Sequence, residues 1–243
     1  MKYLHMTLLT VIIITGAQAQ THQGSIRYER KADVHRRLPN EQMKAMIPQF
    51  QTASFDLFFN DTVSTFKAVP KDEAPDPFDN PGGGVRMVMR FGAADEGVIY
   101  RNYASSRSLE ETSLDDKKFI VSDSIQKLPW KLTDETATFL NHPCKKATAT
   151  SNRGAKLIAW YSEDIPVPVG PDRFSGLPGA ILKLDVDSAT IVYTATQIQP
   201  TAKSKDLQAP AGKSISRADY DKKLDEILGP ADAQGRRVMR RTN

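Results

Sequence analysis

One cysteine, Cys144, stands in a chain of 243 residues. No intrachain disulfide can form, so the core must hold the fold unaided, even in an oxidising compartment. Histidine is also scarce: His5, His22, His35 and His142 are all there are. With Cys144 they lack the close pairs that zinc or copper sites use, so no metal and no cofactor is expected. There is no Gly-x-Ser-x-Gly elbow, phosphate loop or dinucleotide fingerprint. Pro81-Gly82-Gly83-Gly84 lacks the lysine and the helix that would have to follow it. The formal net charge of +4 is too small to argue for nucleic acid. Beyond the first twenty residues no apolar run is long enough to cross a bilayer.

Those first residues read as a secretory leader. Lys2 and His5 precede an apolar centre, 8–14, that is too short to span a membrane as a helix. Ala17-Gln18-Ala19 supplies small residues for cleavage, so the mature chain is expected to begin at Gln20, with a net charge of +3 once Lys2 is lost. The expectation is a soluble exported protein of the periplasm, with the cell surface or the extracellular space as the alternatives. Residues 20–230 read as one β-rich domain, followed by a basic tail, 231–243, with Arg236, Arg237, Arg240 and Arg241. A solvated terminus is the plainer reading of that tail.

The dominant period is two, which predicts strands. They fall at 26–29, 55–59, 63–66, 85–91, 98–103, 106–112, 119–122, 130–132, 144–150, 156–161, 180–186 and 190–198. Asn60-Asp61 and Asp187-Ser188-Ala189 are short enough to close hairpins. Many short strands between turns predict a curved antiparallel sheet, half-barrel-like in form. Two helices are expected: a short one after Asn40, stopped by Pro48, and a longer one, 217–228, capped by Ser216 and ended by Gly229-Pro230. In the second, Tyr220, Leu224, Ile227 and Leu228 share a face. The stretch 70–84, rich in Pro, Asp and Gly, cannot form a ladder and reads as a loop.

The strongest signal runs from Trp160 to Val186. Pro166, Pro168 and Pro171 force an extended path, expected to cross an edge or an open end of the sheet. Gly176-Leu177-Pro178-Gly179 follows. Pro178 at the second turn position and Gly179 at the third predict a type II turn with positive φ at Gly179. In the next strand Ala180, Leu182, Leu184 and Val186 should face one way and Ile181, Lys183 and Asp185 the other. The segment is either a structural crossover, the plainer reading, or a rigid lip over a ligand site.

Trp130, Cys144, Trp160, Tyr161, Pro166, Gly170, Pro171, Gly176, Leu177, Pro178 and Gly179, in this order, resemble the GLPGLI family of exported Bacteroidota proteins. Ala180-Ile181 stands where the family name has Leu-Ile. The resemblance covers roughly residues 20–200 and carries over no activity and no catalytic residue. Family members loosely resemble the curved sheets of periplasmic lipoprotein-carrier domains, an analogy of fold that does not give function.

Candidate chemistry is sparse. His142 and Cys144 lie two apart, where a Cys-His nucleophile pair is conceivable, but a buried inert thiol heading a plain strand is the simpler reading. Glu110-Glu111, Asp115-Asp116 and Glu163-Asp164 are adjacent pairs; in a strand they point apart, and they read as solvated. Phe55, Phe58, Phe59, Phe66, Met87, Met89, Trp130, Trp160 and Tyr161 would line a curved sheet, as a packed core or as the wall of an apolar cavity. Three functions stay open. One is a binding or accessory module for an apolar ligand or an envelope partner. Another is a hydrolase-type enzyme with an unrecognised site. The third is a structural envelope component. No catalytic residue is assigned, and oligomeric state is not fixed by the sequence.

Overall fold

The structure, a computed structural model, describes residues 22–38, 40–70, 97–114 and 117–229. The leader, residues 71–96 with the expected strand at 85–91, Asp115-Asp116 and the tail lie outside the described residues. The chain forms strands β1 (Gly24–Asp33), β2 (Phe50–Phe59), β3 (Val63–Ala68), β4 (Ile99–Asn102), β5 (Arg107–Leu114) and β6 (Lys117–Ser124). They are followed by β7 (Lys131–Phe139), β8 (His142–Thr150), β9 (Lys156–Ser162), β10 (Ala180–Val186), β11 (Ile191–Gln199) and β12 (Ser214–Ser216). Helix α1 spans Glu41–Met46 and α2 spans Arg217–Leu228. Asn40 caps α1 by accepting from Met43 N, and Ser216 caps α2 by accepting from Asp219 N, as their sequences predict.

The twelve strands of the described residues form one sheet in the order β12-β6-β5-β4-β3-β2-β1-β11-β10-β9-β8-β7. Two meanders, β1 to β6 and β7 to β11, are therefore joined where β1 pairs antiparallel with β11. The sheet curves but stays open, because β7 and β12 are edges and do not meet. Both edges are blunted. The β7 register slips between Leu132 and Thr136, with Asp134 and Glu135 exposed in the slip, and β12 is three residues long and runs straight into α2. A bulge, charge and shortness each discourage pairing with another chain.

One face of the sheet is the core. Ile26, Tyr28, Leu57, Phe59, Ala159, Tyr161 and Leu184 are buried along it, and the stacked rings of Phe55 and Phe66 lie 4.9 Å apart. Residues 163–179 cover this inner face. Ile165, Val167 and Val169 point inward, alternating with half-buried Pro166 and Pro168. The prolines have no N–H to orphan, which is why so extended a segment can be buried at all. Ala180 N donates to Ile165 O at 3.0 Å, Ile181 N to Val169 O at 2.9 Å and Gly176 N to Pro168 O at 3.1 Å. Tyr28 donates its hydroxyl to Ile181 O at 2.6 Å, and Trp130 donates Nε1 to Ser175 O at 3.0 Å. The segment thus runs beneath the sheet, not along an edge or past an open end.

Two sequence expectations need correction here. Gly179 does not have a positive φ; Gly176 does, at 94°. Gly179 is glycine because a Cβ there would lie 2.7 Å from the carbonyl carbon of Ser162 and 3.1 Å from Glu163 Cα. The turn demands closeness at one glycine and handedness at the other. Ile181 does not face away from the core. The pairing of β10 with β9 slips between Ile181 and Lys183, so Ile181 lies opposite Tyr161 and is fully buried. A one-residue bulge resets the alternation.

The chain after β11 wraps the other edge. Asp206 takes an ion pair from Lys67 at 2.9 Å on the outer face, β12 then pairs parallel with β6, and α2 returns onto the inner face of β5 and β6. There the Tyr220 ring packs edge-on against Phe119 at 5.8 Å and its hydroxyl meets Thr112 Oγ1 at 3.4 Å. Tyr220 is the buried member of the expected apolar face; Leu224 is half-buried and Ile227 exposed.

Candidate functional site

Two places combine polar chemistry with access. The first is at the end of the sheet where the β7–β8 turn meets the end of β11. Leu140 and Asn141 both take positive φ in that two-residue turn, the geometry of a tight hairpin. Leu140, Asn141 and His142 face Ile198 and Pro200 across an open hollow of about 380 Å³. In the sheet order β8 lies three strands from β11, about 14 Å along a flat sheet. Curvature brings the two sides together.

His142 Nδ1 stands 3.1 Å from Asp164 Oδ2, both side chains partly exposed. A carboxylate oxygen accepts, so Nδ1 is the donor of this contact. Cys144 takes no part in this contact. Its thiol is buried, lies 3.5 Å from the main-chain oxygen of His142, and is pushed up to about 11 by burial. A protonated, enclosed thiol is not a nucleophile, so the Cys-His pair is not assembled. Glu163, beside Asp164, holds Lys145 at 2.8 Å.

The second place is a charged seam on the inner face, between the 163–179 segment and α2. Glu110 is 8% exposed. The sequence reading of Glu110-Glu111 as a solvated pair is therefore half wrong: Glu111 is on the surface with Lys118 at 3.1 Å, and Glu110 is inside. One Glu110 oxygen accepts from Arg173 of the crossing segment and the other from Arg217 of α2, the latter at 2.7 Å. Arg217 also approaches Asp123 at 3.5 Å. Asp172 takes the Tyr193 hydroxyl at 3.4 Å, and burial pushes that phenol far up. Arg101 of β4 donates Nη2 to the main-chain oxygen of Asp172. Nothing in the sequence marks Arg101 or Glu110 as interior. Only the register, Ile99 opposite Glu110 and Arg101 opposite Ser64, puts them on the face that the crossing segment covers.

Most of the motif residues lie in that segment. Tyr161, Cys144, Gly170, Pro171, Leu177 and Gly179 are buried, Trp130, Trp160 and Pro166 half-buried, and Gly176 and Pro178 exposed. Trp160 sits on the outer face, tilted against Phe139 at 5.9 Å with the Lys146 ammonium 5.9 Å from its ring centre. Among the described residues no group of three or more His, Cys, Asp or Glu side chains could hold a metal ion.

A family profile described as a protein of unknown function (Porph_ging) matches residues 152–183, from the β8–β9 turn through the crossing segment into β10. No curated protein matches the chain. The fold is that of part of a solved protein. The structure of PNGF-II in one crystal form superposes with a TM-score of 0.56 at 16% identity, over 83% of this chain and 32% of that one. In a second crystal form the values are 0.55, 15%, 82% and 32%. The chain thus spans about a third of the length of PNGF-II, and the likeness is one of fold.

Proposed function

We propose that this is an exported, GLPGLI-type binding or accessory module of the cell envelope, one that docks on a partner instead of carrying an apolar ligand inside the sheet. The packing of the interior is the observation that carries this reading. Tyr28, Leu57, Ile165, Leu177, Leu182 and Leu184 are at most 1% exposed, so the crossing segment fills the concave face where a carried lipid would have to lie. Polar and accessible groups stand instead at the sheet end, around His142 and Asp164, and along the seam. Neither edge strand invites pairing, which leaves ends and faces as the contact surfaces. The solved relative by fold carries the same architecture as one part of a longer chain, so the fold is compatible with work beside other domains.

Native mass spectrometry of protein drawn from envelope extracts tests this directly. The mature chain, beginning Gln20-Thr21-His22, should appear free or bound to another protein, without stoichiometric lipid. A lipid mass on every molecule would overturn the docking reading. The hydrolase reading survives as a second one on a single contact, His142 to Asp164, in which a carboxylate orients an imidazole. Turnover of an ester or amide substrate that His142→Asn abolishes, with the fold intact, would put the enzyme first.

A further inference from the structure

Arg101 is 2% exposed and its Nη1 is buried without a hydrogen-bond acceptor. Its Nη2 reaches only a main-chain oxygen, that of Asp172. The nearest buried carboxylate by register, Glu110, has both oxygens engaged by other arginines, Arg173 and Arg217. The Asp172 carboxylate is engaged by Tyr193 and lies 3.6 Å from Arg173. A guanidinium cannot shed its proton to escape burial, and a buried donor left unmet costs free energy that an apolar side chain of similar length would not. The walls of the seam are partly open. The Arg173 side chain is 56% exposed and that of Arg217 33% exposed. Arg101, Arg173 and Arg217 therefore stand among Glu110, Asp172 and Asp123, with one Arg101 donor unmet at the bottom and the ion-paired heads of Arg173 and Arg217 toward solvent.

We propose that this seam takes a compact oxyanion, a phosphate or a carboxylate, anchored by Arg101 and flanked by Arg173 and Arg217. The planar fork of arginine suits such a group, and the low dielectric of the seam strengthens the pairing. The anion supplies the acceptor that Arg101 lacks. The proposal rests on the reading of the chain as a binding module and names the chemistry that one of its sites recognises.

The experiment is a thermal melt of the full mature chain in sodium chloride of matched ionic strength, with and without 10 mM inorganic phosphate, and again with a short peptide ending in a free carboxylate. The wild type should rise by about 5 °C with at least one of the two, as expected for an anion present well above its dissociation constant. Phosphate alone acting would identify a phosphoryl group; the peptide alone acting would identify a chain terminus or acidic side chain. Arg101→Met should melt a few degrees above the wild type without anion and gain nothing from it. A purely structural Arg101 predicts the opposite, a lower melting temperature in Arg101→Met. If that variant does not fold, Arg101→Lys decides, because it keeps the charge and loses the fork; its anion affinity should fall at least tenfold. No anion shift in the wild type, or an equal shift in the Arg101 variants, overturns the proposal. A failed anion response beside an intact protein complex in native mass spectrometry would sink this site alone and leave the docking reading standing.

Discussion

Between β9 and β10 the inner face of the sheet is closed by apolar side chains on a proline-stiffened chain. Over β5 and β6 it is closed by a helix with one buried ring and a set of ion pairs. Ile165, Val167, Val169 and Leu177 in the first cover are at most 1% exposed. The second cover offers Tyr220 and the Arg217–Glu110 contact, and its last apolar side chain in view, Ile227, is 52% exposed. Apolar burial of the first kind gives about 1.5–3 kcal/mol for each large side chain. An ion pair that is partly exposed gives much less, about 1 kcal/mol or below. The two covers therefore differ in what they can do. The apolar one must be part of the folding unit. The charged one can be altered, loosened or recruited without unfolding the sheet, which is where a binding site can be kept at tolerable cost.

The largest effect should come from breaking the apolar cover at its tightest point. Gly179→Val pushes side-chain atoms into Ser162 and Glu163 at the root of the crossing segment. It should cost about 3 kcal/mol or more and lower the melting temperature by about 6–12 °C. Gly176→Ala is the control. A Cβ there meets nothing within 4 Å, so the variant feels only the positive φ, about 1 kcal/mol. Equal losses at the two glycines would mean that handedness, not crowding, governs the turn. A Gly179→Val protein that melts like the wild type but no longer binds a partner would make the segment a functional lip.

Next comes the charged cover. Tyr220→Ala removes the buried ring of α2 and should cost about 1–2 kcal/mol, because a helix so lightly held can lift away before the sheet responds. Hydrogen exchange should show the backbone amides of α2 and β12 losing protection while β1, β10 and β11 keep theirs. Uniform loss across the sheet would show that both covers belong to one cooperative unit and do not differ in this way. Arg217→Ala should cost less still, about 0.5–1 kcal/mol, since Arg173 remains on Glu110 and the Arg217 side chain is a third exposed.

Local chemistry carried much of this fold into the sequence, and the misreadings have a common cause. Asn60 closes the β2–β3 hairpin by accepting from Thr62 N and Val63 N, and Asn40 and Ser216 cap their helices, all through neighbours within three residues. Such contacts are visible in a sequence. β7 is legible only in its first residues, because Thr133 to Thr138 alternates no apolar face; it is a strand because β8 pairs with it. β12 is three residues long and owes its existence to β6, nearly a hundred positions earlier. The bulge that buries Ile181 and the closeness that requires Gly179 are properties of paired strands, not of either strand alone. The seam was least legible. Glu110 reads as solvated because its partners, Arg173 and Arg217, lie 63 and 107 residues away along the chain.

The smallest effect is expected at Cys144, a buried side chain of β8 in the apolar core. Cys144→Ala removes one small buried group and should cost about 1 kcal/mol or less, with partner binding unchanged. Its pH dependence sharpens the test. Burial pushes the thiol from 9.0 to about 11, so the folded protein holds the neutral form. The folded state then binds more protons than the unfolded one between those values, and the thiol's contribution runs in one direction. It is complete below pH 9 and is lost progressively as pH rises toward 11. Denaturant unfolding of the wild type should therefore weaken across that window by more than unfolding of Cys144→Ala does. A thiol-labelling reagent at pH 8 should react only when the chain opens, at a rate that follows global unfolding. Rapid labelling of the native protein would show that the cover over β8 breathes, and would place this part of the apolar side with the lightly held helix and not with the core.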